Sequence, residues 1–140
     1  MIFDIGHGKG SFDFTVAEAM LAGEFPPDII SSDVHVLCID GPAYDNMETM
    51  SKFLCLGMPL ADIVRAVTAA PASVLRRPDL ADLSAGSTGD ATVMRLEQGR
   101  FTFADVSGQT RTGTQRFALD SVVVAGALWH QADAQVMAAD

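Results

Sequence analysis

Two short stretches carry side chains that could do acid–base or metal chemistry. The first, DIGHGKGSFDF at residues 4–14, places His7 between glycines just after a short apolar run. The second, DIISSDVH at residues 28–35, places Asp33 and His35 after another apolar run. Carboxylates and imidazoles can bind a metal or transfer protons, so these residues are candidates for a hydrolytic site.

The glycine-rich first stretch also invites comparison with phosphate-binding loops. The P-loop motif needs a glycine where Phe3 stands and a serine or threonine where Gly10 stands. The dinucleotide-binding fingerprint needs a third glycine where Ser11 stands. Because both templates fail, the sequence disfavours nucleotide binding.

These polar residues could instead have purely structural roles. Asp33 could cap a helix or simply occupy a loop, and His7 and His35 could be loop histidines bonded to backbone carbonyls. Spacing alone favours this explanation. Lys52 and Arg65 fall on predicted helices, where we expect solvent-exposed charges.

The elements that must position these residues are two successive strand–helix units. Apolar runs predict strands at 1–5 and 27–31. Helical spacing predicts a helix in FTVAEAMLAG that ends at Gly23, a second in METMSKFLCLG, and a third that Pro59 opens and Pro71 stops or restarts. Repeated strand–helix units imply a parallel sheet, and barrel enzymes carry catalytic groups where such strands end.

The pattern changes from about residue 79 onwards. DATVMRL, GRFTFADV, TQRFALDSVVVAG and ALWH predict short strands, separated by SGQT and by breaks at Gly99 and Gly126. This predicts an antiparallel meander or a small sandwich. We therefore divide the chain into an α/β part at 1–78, a β part at 79–130 and a tail at 131–140 that we expect to fray.

Composition limits the classes of partner. With nine Lys plus Arg and a net charge of −9, the chain lacks the clustered cations that nucleic acid binding requires. No apolar run reaches the roughly 20 residues of a membrane span. Cys38 and Cys55 lack the pairing of a zinc or redox motif and predict buried free thiols in a reducing compartment. Without a signal-peptide pattern at Met1, we expect a cytoplasmic location.

Several separate blocks resemble the amidohydrolase and deacetylase family of metallohydrolases, a dihydroorotase-like branch of the amidohydrolase superfamily. The resemblance extends from residue 2 to about residue 129. It rests on four blocks that occur in the family's order: Gly6-His7-Gly8 with Ser11-Phe12, then Ser32-Asp33-Val34-His35, then the helix TMSKFLCLGM, and finally Gly86 and Asp90.

The resemblance implies a (β/α)8 TIM-type barrel with one or two divalent metals, usually zinc, and a small β-sandwich. Residues 1–78 would then hold the last two βα units, strands seven and eight. Asp33 would be both a metal ligand and the general base that activates water. The residues expected to contact substrate are His7, Gly8, His35, Gly41 and Pro42. The implied reaction is hydrolysis of an amide or ester, an N-acyl or O-acetyl bond, in a small organic acid.

The chain departs from this family in ways that limit the prediction. It has no His-x-His pair, and neither Lys9 nor Lys52 matches the family's metal-bridging lysine. Two βα units are also too few to close an eight-stranded barrel. We therefore expect the C-terminal portion of a longer enzyme, not competent for catalysis alone, completed by a missing N-terminal portion or by a homo-oligomer. The alternative is a non-catalytic interaction or assembly fragment without a metal site.

Overall fold

The computed structural model describes residues 1–129, so the tail predicted at 131–140 lies outside the described residues. The chain begins with a parallel pair of strands, β1 (Asp4–Gly6) and β2 (Ile29–Ser31). Helix α1 (Phe14–Ala22) connects them. Ile5 pairs with Ile30 in the register, and both isoleucines of β2 are buried. The predicted strand–helix–strand unit is confirmed, with shorter strands than the apolar runs suggested.

Three helices follow β2. Helix α2 (Asn46–Cys55) starts at Asp45, whose carboxylate accepts a hydrogen bond from the Glu48 N–H at 2.8 Å. Helix α3 (Leu60–Val67) follows directly on Pro59. Helix α4 (Ala69–Val74) contains Pro71 in its first turn, where a proline lacks only an N–H that has no helical partner. The proline therefore restarts the helical path after a break at Thr68.

The β part is a three-stranded antiparallel meander. A 3₁₀ turn at Pro78–Ala81 precedes it, and strands β3 (Ala91–Ala104), β4 (Thr110–Val124) and β5 (Ala127–Trp129) lie in sequence order. The predicted break at Gly99 is wrong, because DATVMRL and GRFTFADV form one continuous strand. The register shifts between Gln98 and Phe101, so Gly99 lies in a bulge. A Cβ on Gly99 would lie 2.9 Å from the Phe101 ring, so glycine leaves room for that ring.

One hydrophobic core joins the parallel pair, the helices and the meander. Helix α2 packs against β4, and the hydroxyl of Ser51 accepts a hydrogen bond from the Phe117 N–H at 3.0 Å. The most deeply buried apolar side chains come from both parts of the chain: Phe12, Phe14, Ile30, Met50, Phe53, Ile63, Phe103 and Phe117. The chain is thus a mixed α/β structure, and its assignment to barrel units and a sandwich stays a prediction.

Two expectations from composition can be compared with the fold. Cys38 and Cys55 are both free thiols, Cys38 buried and Cys55 partly exposed. Burial raises the pKa of the Cys55 thiol. None of the helices within residues 1–129 is long and apolar enough to cross a membrane.

A buried carboxylate fastens the start of α1 to the β3–β4 turn. Asp105 is 3% exposed, and its side chain accepts a hydrogen bond from the Phe14 N–H at 2.9 Å. The same carboxylate accepts from the N–H groups of Ser107 and Gln109 at 2.9 and 2.8 Å. The first N–H groups of a helix have no partner within the helix. Asp105, from a distant part of the chain, provides the acceptor for the first N–H group of α1.

Replacing Asp105 tests this connection. We expect Asp105→Ala to lower the free energy of unfolding by about 1–3 kcal/mol, since buried N–H groups would lose their acceptor. Urea denaturation would measure the loss. Asp62→Ala is a suitable control, because Asp62 is about half exposed and its contact with Arg65 is long at 3.9 Å. Equal effects of the two substitutions would contradict the assigned role of Asp105.

Candidate functional site

Asp33 lies just beyond the carboxyl end of β2, with its side chain exposed. Its backbone is left-handed, with φ of +48°, a conformation that aspartate tolerates better than most residues. The side chain lies over Gly6, the last residue of β1, and over Gly8 just beyond it. A Cβ on Gly6 would be 2.7 Å from the Asp33 Cβ, and one on Gly8 would be 2.6 Å from Oδ2. Both glycines therefore make room for this carboxylate.

The His7 ring is fully buried, and both of its nitrogens have partners. Nδ1 lies 3.0 Å from the Gly8 carbonyl oxygen, and Nε2 lies 2.7 Å from the Lys52 Nζ. The ring also stacks on Phe12, with centroids 5.1 Å apart. A carbonyl only accepts, so the Gly8 contact requires a proton on Nδ1.

Lys52 is buried, so the prediction of a solvent-exposed lysine is wrong. Its side chain is 0% exposed, and its Nζ donates to the Pro42 carbonyl oxygen at 2.6 Å. The Glu48 carboxylate, one helical turn earlier, lies 3.8 Å away. The lysine is tolerated there because a buried cation needs acceptors and a counter-charge, and both are present.

The charges around this pair favour a neutral imidazole beside an ammonium. Burial lowers the pKa of Lys52 to about 8, against the opposing influence of Glu48 and Asp105. Burial, assisted by the charge on Lys52, lowers the pKa of His7. Burial raises the pKa of Glu48, although Lys52 opposes this effect. At pH 7 Lys52 is therefore mainly charged, and His7 is neutral.

The loop after Asp33 carries the other predicted site residues. His35 is exposed, and its Nδ1 accepts a hydrogen bond from the Leu37 N–H at 3.3 Å. The buried Cys38 accepts from the His35 N–H at 3.2 Å and so holds the turn. Gly41 and Pro42 are partly buried and are joined by a cis peptide bond.

Of the six predicted residues, the structure brings Gly8 against Asp33 and links His7 to Pro42 through Lys52, which sequence reasoning missed. The hydrogen bonds of His35 and Gly41 lie within their own loop. Lys52 lies within a run of five buried residues of α2, at positions 49–53. Because Glu48 and Thr49 precede it by one turn, no apolar stripe marks its position, and the sequence carries no signal of its burial.

A metal centre needs more donors than this site provides. A catalytic zinc takes about three protein ligands. Within residues 1–129, no three His, Cys, Asp or Glu side chains lie close enough to hold a metal ion, and the Nε2 of His7 is already engaged by Lys52. The described residues do not by themselves fit the expected metal, and the assignment of Asp33 as a ligand stays a prediction.

A groove formed by the described residues lies elsewhere on the surface. It has a volume of about 710 Å³ and runs between the end of α1 and the start of α3. Its lining includes Leu21, Met58 and Pro59 but none of the predicted site residues. This groove is therefore not the substrate pocket that the sequence predicts.

Comparison with solved structures places this arrangement in the amidohydrolase superfamily. An adenine deaminase matches 94% of the chain with a TM-score of 0.89 and 30% sequence identity. A dihydroorotase matches 89% of it with a TM-score of 0.83 and 37% identity. The chain covers 36% and 34% of those two proteins.

The chain is also similar to curated sequences that are named deacetylases. The chain is 42% identical over 105 residues to a deacetylase of Agrobacterium fabrum, and 31% identical over 130 residues to one of Enterococcus faecalis. These matches span 75% and 92% of the chain but only 26% and 35% of the relatives. No family model matches the chain. The resemblance to the amidohydrolase and deacetylase family is confirmed: the chain is homologous to part of these proteins.

The contact between Gly8 and Asp33 can be tested by stability. Gly8→Ala would place a methyl group 2.6 Å from the carboxylate, in a backbone with φ of +48°. We expect a loss of about 1–3 kcal/mol in the free energy of unfolding, measured by thermal denaturation. Gly10→Ala is the matched control, because a Cβ there has nothing within 4 Å. If Asp33→Gly fails to relieve any of the loss, the contact is not its cause.

Proposed function

We propose that the chain is part of a metal-dependent hydrolase that cleaves an amide or ester, an N-acyl or O-acetyl bond, in a small organic acid. The proposal rests mainly on one observation: the exposed Asp33 carboxylate lies at the carboxyl end of β2, packed against Gly6 and Gly8. It supports this reaction because the chain is homologous to deacetylases at 31–42% identity. Strand ends of this kind carry the catalytic groups of barrel enzymes.

Asp33 is the proposed general base. Its carboxylate would accept a proton from the attacking water and deliver it to the departing amine or alkoxide. Its second proposed role is that of a metal ligand, in a site whose other donors come from outside the described residues. A divalent metal, zinc in this proposal, would supply Lewis-acid activation of water.

Gly8, His35 and the Gly41–Pro42 segment would bind the acylated substrate. Gly8 lies beside Asp33, and the others belong to the loop that follows it. The expected substrate contact of His7 is not part of the proposal, because its ring is buried and both nitrogens are engaged. The proposed whole is a barrel of which residues 1–78 form the last two βα units, followed by part of a sandwich. In support, β1 and β2 are a parallel pair linked by a helix, and such a pair needs further strands to cover its edges.

A chimeric enzyme tests the function. This chain would replace the matching region of the Agrobacterium fabrum deacetylase, and zinc content would be measured by elemental analysis beside hydrolysis of N-acetyl and O-acetyl substrates. We expect the chimera to bind zinc and hydrolyse one class, and the 140-residue chain alone to do neither. Asp33→Asn should reduce kcat by about 10²–10⁴, the usual contribution of a general base.

Asp40→Asn provides the matched control, an exposed carboxylate on the same loop. It should retain the chimera's activity. Full activity of the Asp33→Asn chimera would refute the assigned role of Asp33. A folded chimera without zinc or hydrolysis would instead favour the alternative, a non-catalytic assembly fragment.

A further inference from the structure

We infer that Lys52 is a positioning residue of this site: its ammonium fixes His7 in the tautomer protonated at Nδ1, and His7 in turn holds Gly8 beneath Asp33. Lys52 also fastens the Gly41–Pro42 segment to the same point. The inference rests on the proposed function only for the catalytic consequence of this arrangement. The hydrogen-bond pattern itself stands on the contacts of the chain.

The first step is the set of acceptors around Lys52. Its Nζ lies 2.7 Å from the His7 Nε2 and 2.6 Å from the Pro42 oxygen, with Glu48 at 3.8 Å. An ammonium has three hydrogens and no lone pair, so it can only donate. The Nε2 of His7 must therefore present its lone pair to Lys52.

The second step is the opposite nitrogen of the same ring. Nδ1 lies 3.0 Å from the Gly8 carbonyl oxygen, which can only accept. A proton on Nδ1 and none on Nε2 satisfies both contacts. The reverse tautomer would set the Nδ1 lone pair against the Gly8 oxygen and an N–H against the ammonium, so neither contact would be a hydrogen bond.

The third step leads from the ring to Asp33. The Nδ1–H bond holds the Gly8 carbonyl, in a residue whose left-handed φ of +48° is open to glycine because it has no side chain. The Asp33 carboxylate rests against this glycine. Lys52 therefore acts on Asp33 through His7 and Gly8, and it leaves no free nitrogen on His7 for a metal or a substrate.

Nitrogen NMR of the 140-residue chain tests the tautomer directly. With ¹⁵N-labelled histidine, the ring shifts distinguish a protonated from an unprotonated nitrogen. His35→Gln and His130→Gln variants would assign the His7 signals. We expect Nδ1 protonated and Nε2 unprotonated at pH 7. A proton on Nε2, or on both nitrogens, would overturn the inference, and this measurement needs no substitution at Lys52.

Substitution tests the positioning. Lys52→Met keeps the approximate length of the side chain and removes one of the two contacts that favour the Nδ1–H tautomer, the other being the Gly8 carbonyl. The Nε2–H form of His7 should therefore become detectable beside the Nδ1–H form. In the chimera, kcat should fall about tenfold or more with a smaller change in KM, because misplacing a catalytic group lowers the rate. Lys52→Arg, which restores a donor, should recover part of kcat. Lys9→Met is the matched control at the other lysine, which is exposed.

These readouts separate the inference from the proposed function. An inactive chimera with the expected His7 tautomer would contradict the function and leave the hydrogen-bond pattern supported. A folded Lys52→Met chain that keeps the wild-type tautomer would overturn the inference even in an active chimera. So would an active Lys52→Met chimera with unchanged kcat.

Discussion

A buried ammonium needs hydrogen-bond acceptors and an opposite charge, and this requirement organises the candidate site. Lys52 projects from α2 into the protein interior. Moving its charge there from water is costly unless nearby groups compensate. His7 and Pro42 supply the acceptors, and Glu48 supplies the opposite charge. Two backbone segments, one at His7 and one at Pro42, therefore meet at the Lys52 ammonium, and the first of them leads directly into Gly8.

The same helix that carries Lys52 also joins the two parts of the chain. One face of α2 packs on β4, with Ser51 bonded to the backbone of that strand. Asp105 makes a second connection, from the β3–β4 turn to the start of α1. The loop from His7 to Asp13 thus lies between two fixed ends, β1 on one side and the capped helix on the other.

Local rules predicted much of this fold. The helix end at Gly23, the start of α3 after Pro59 and the meander order all follow from short-range preferences. The predicted strand break at Gly99 was wrong because a glycine can either end a strand or allow a bulge within one. The packing of Phe101 against Gly99 decides between the two. The pairing of β3 with β4 extends through the bulge and keeps the strand whole.

The candidate site was less predictable, since its contacts are long-range. Asp33 and its neighbouring histidines were visible as polar residues after apolar runs. The burial of Lys52 was not, because helical position alone does not reveal that an imidazole 45 residues away would meet it. Charged residues on helices are usually solvated. Lys52 is an exception because His7 and Pro42 provide acceptors for it inside the protein.

The fit between Gly8 and Asp33 has an evolutionary consequence. The two positions share one small volume, so a side chain at position 8 requires a smaller residue at position 33 or a displaced strand end. Positions 8 and 33 are thereby coupled. A lineage that keeps both the carboxylate and the position of the strand end must also keep the glycine, so a side chain at position 8 is expected where Asp33, and with it the proposed chemistry, has been lost or where the strand end has moved.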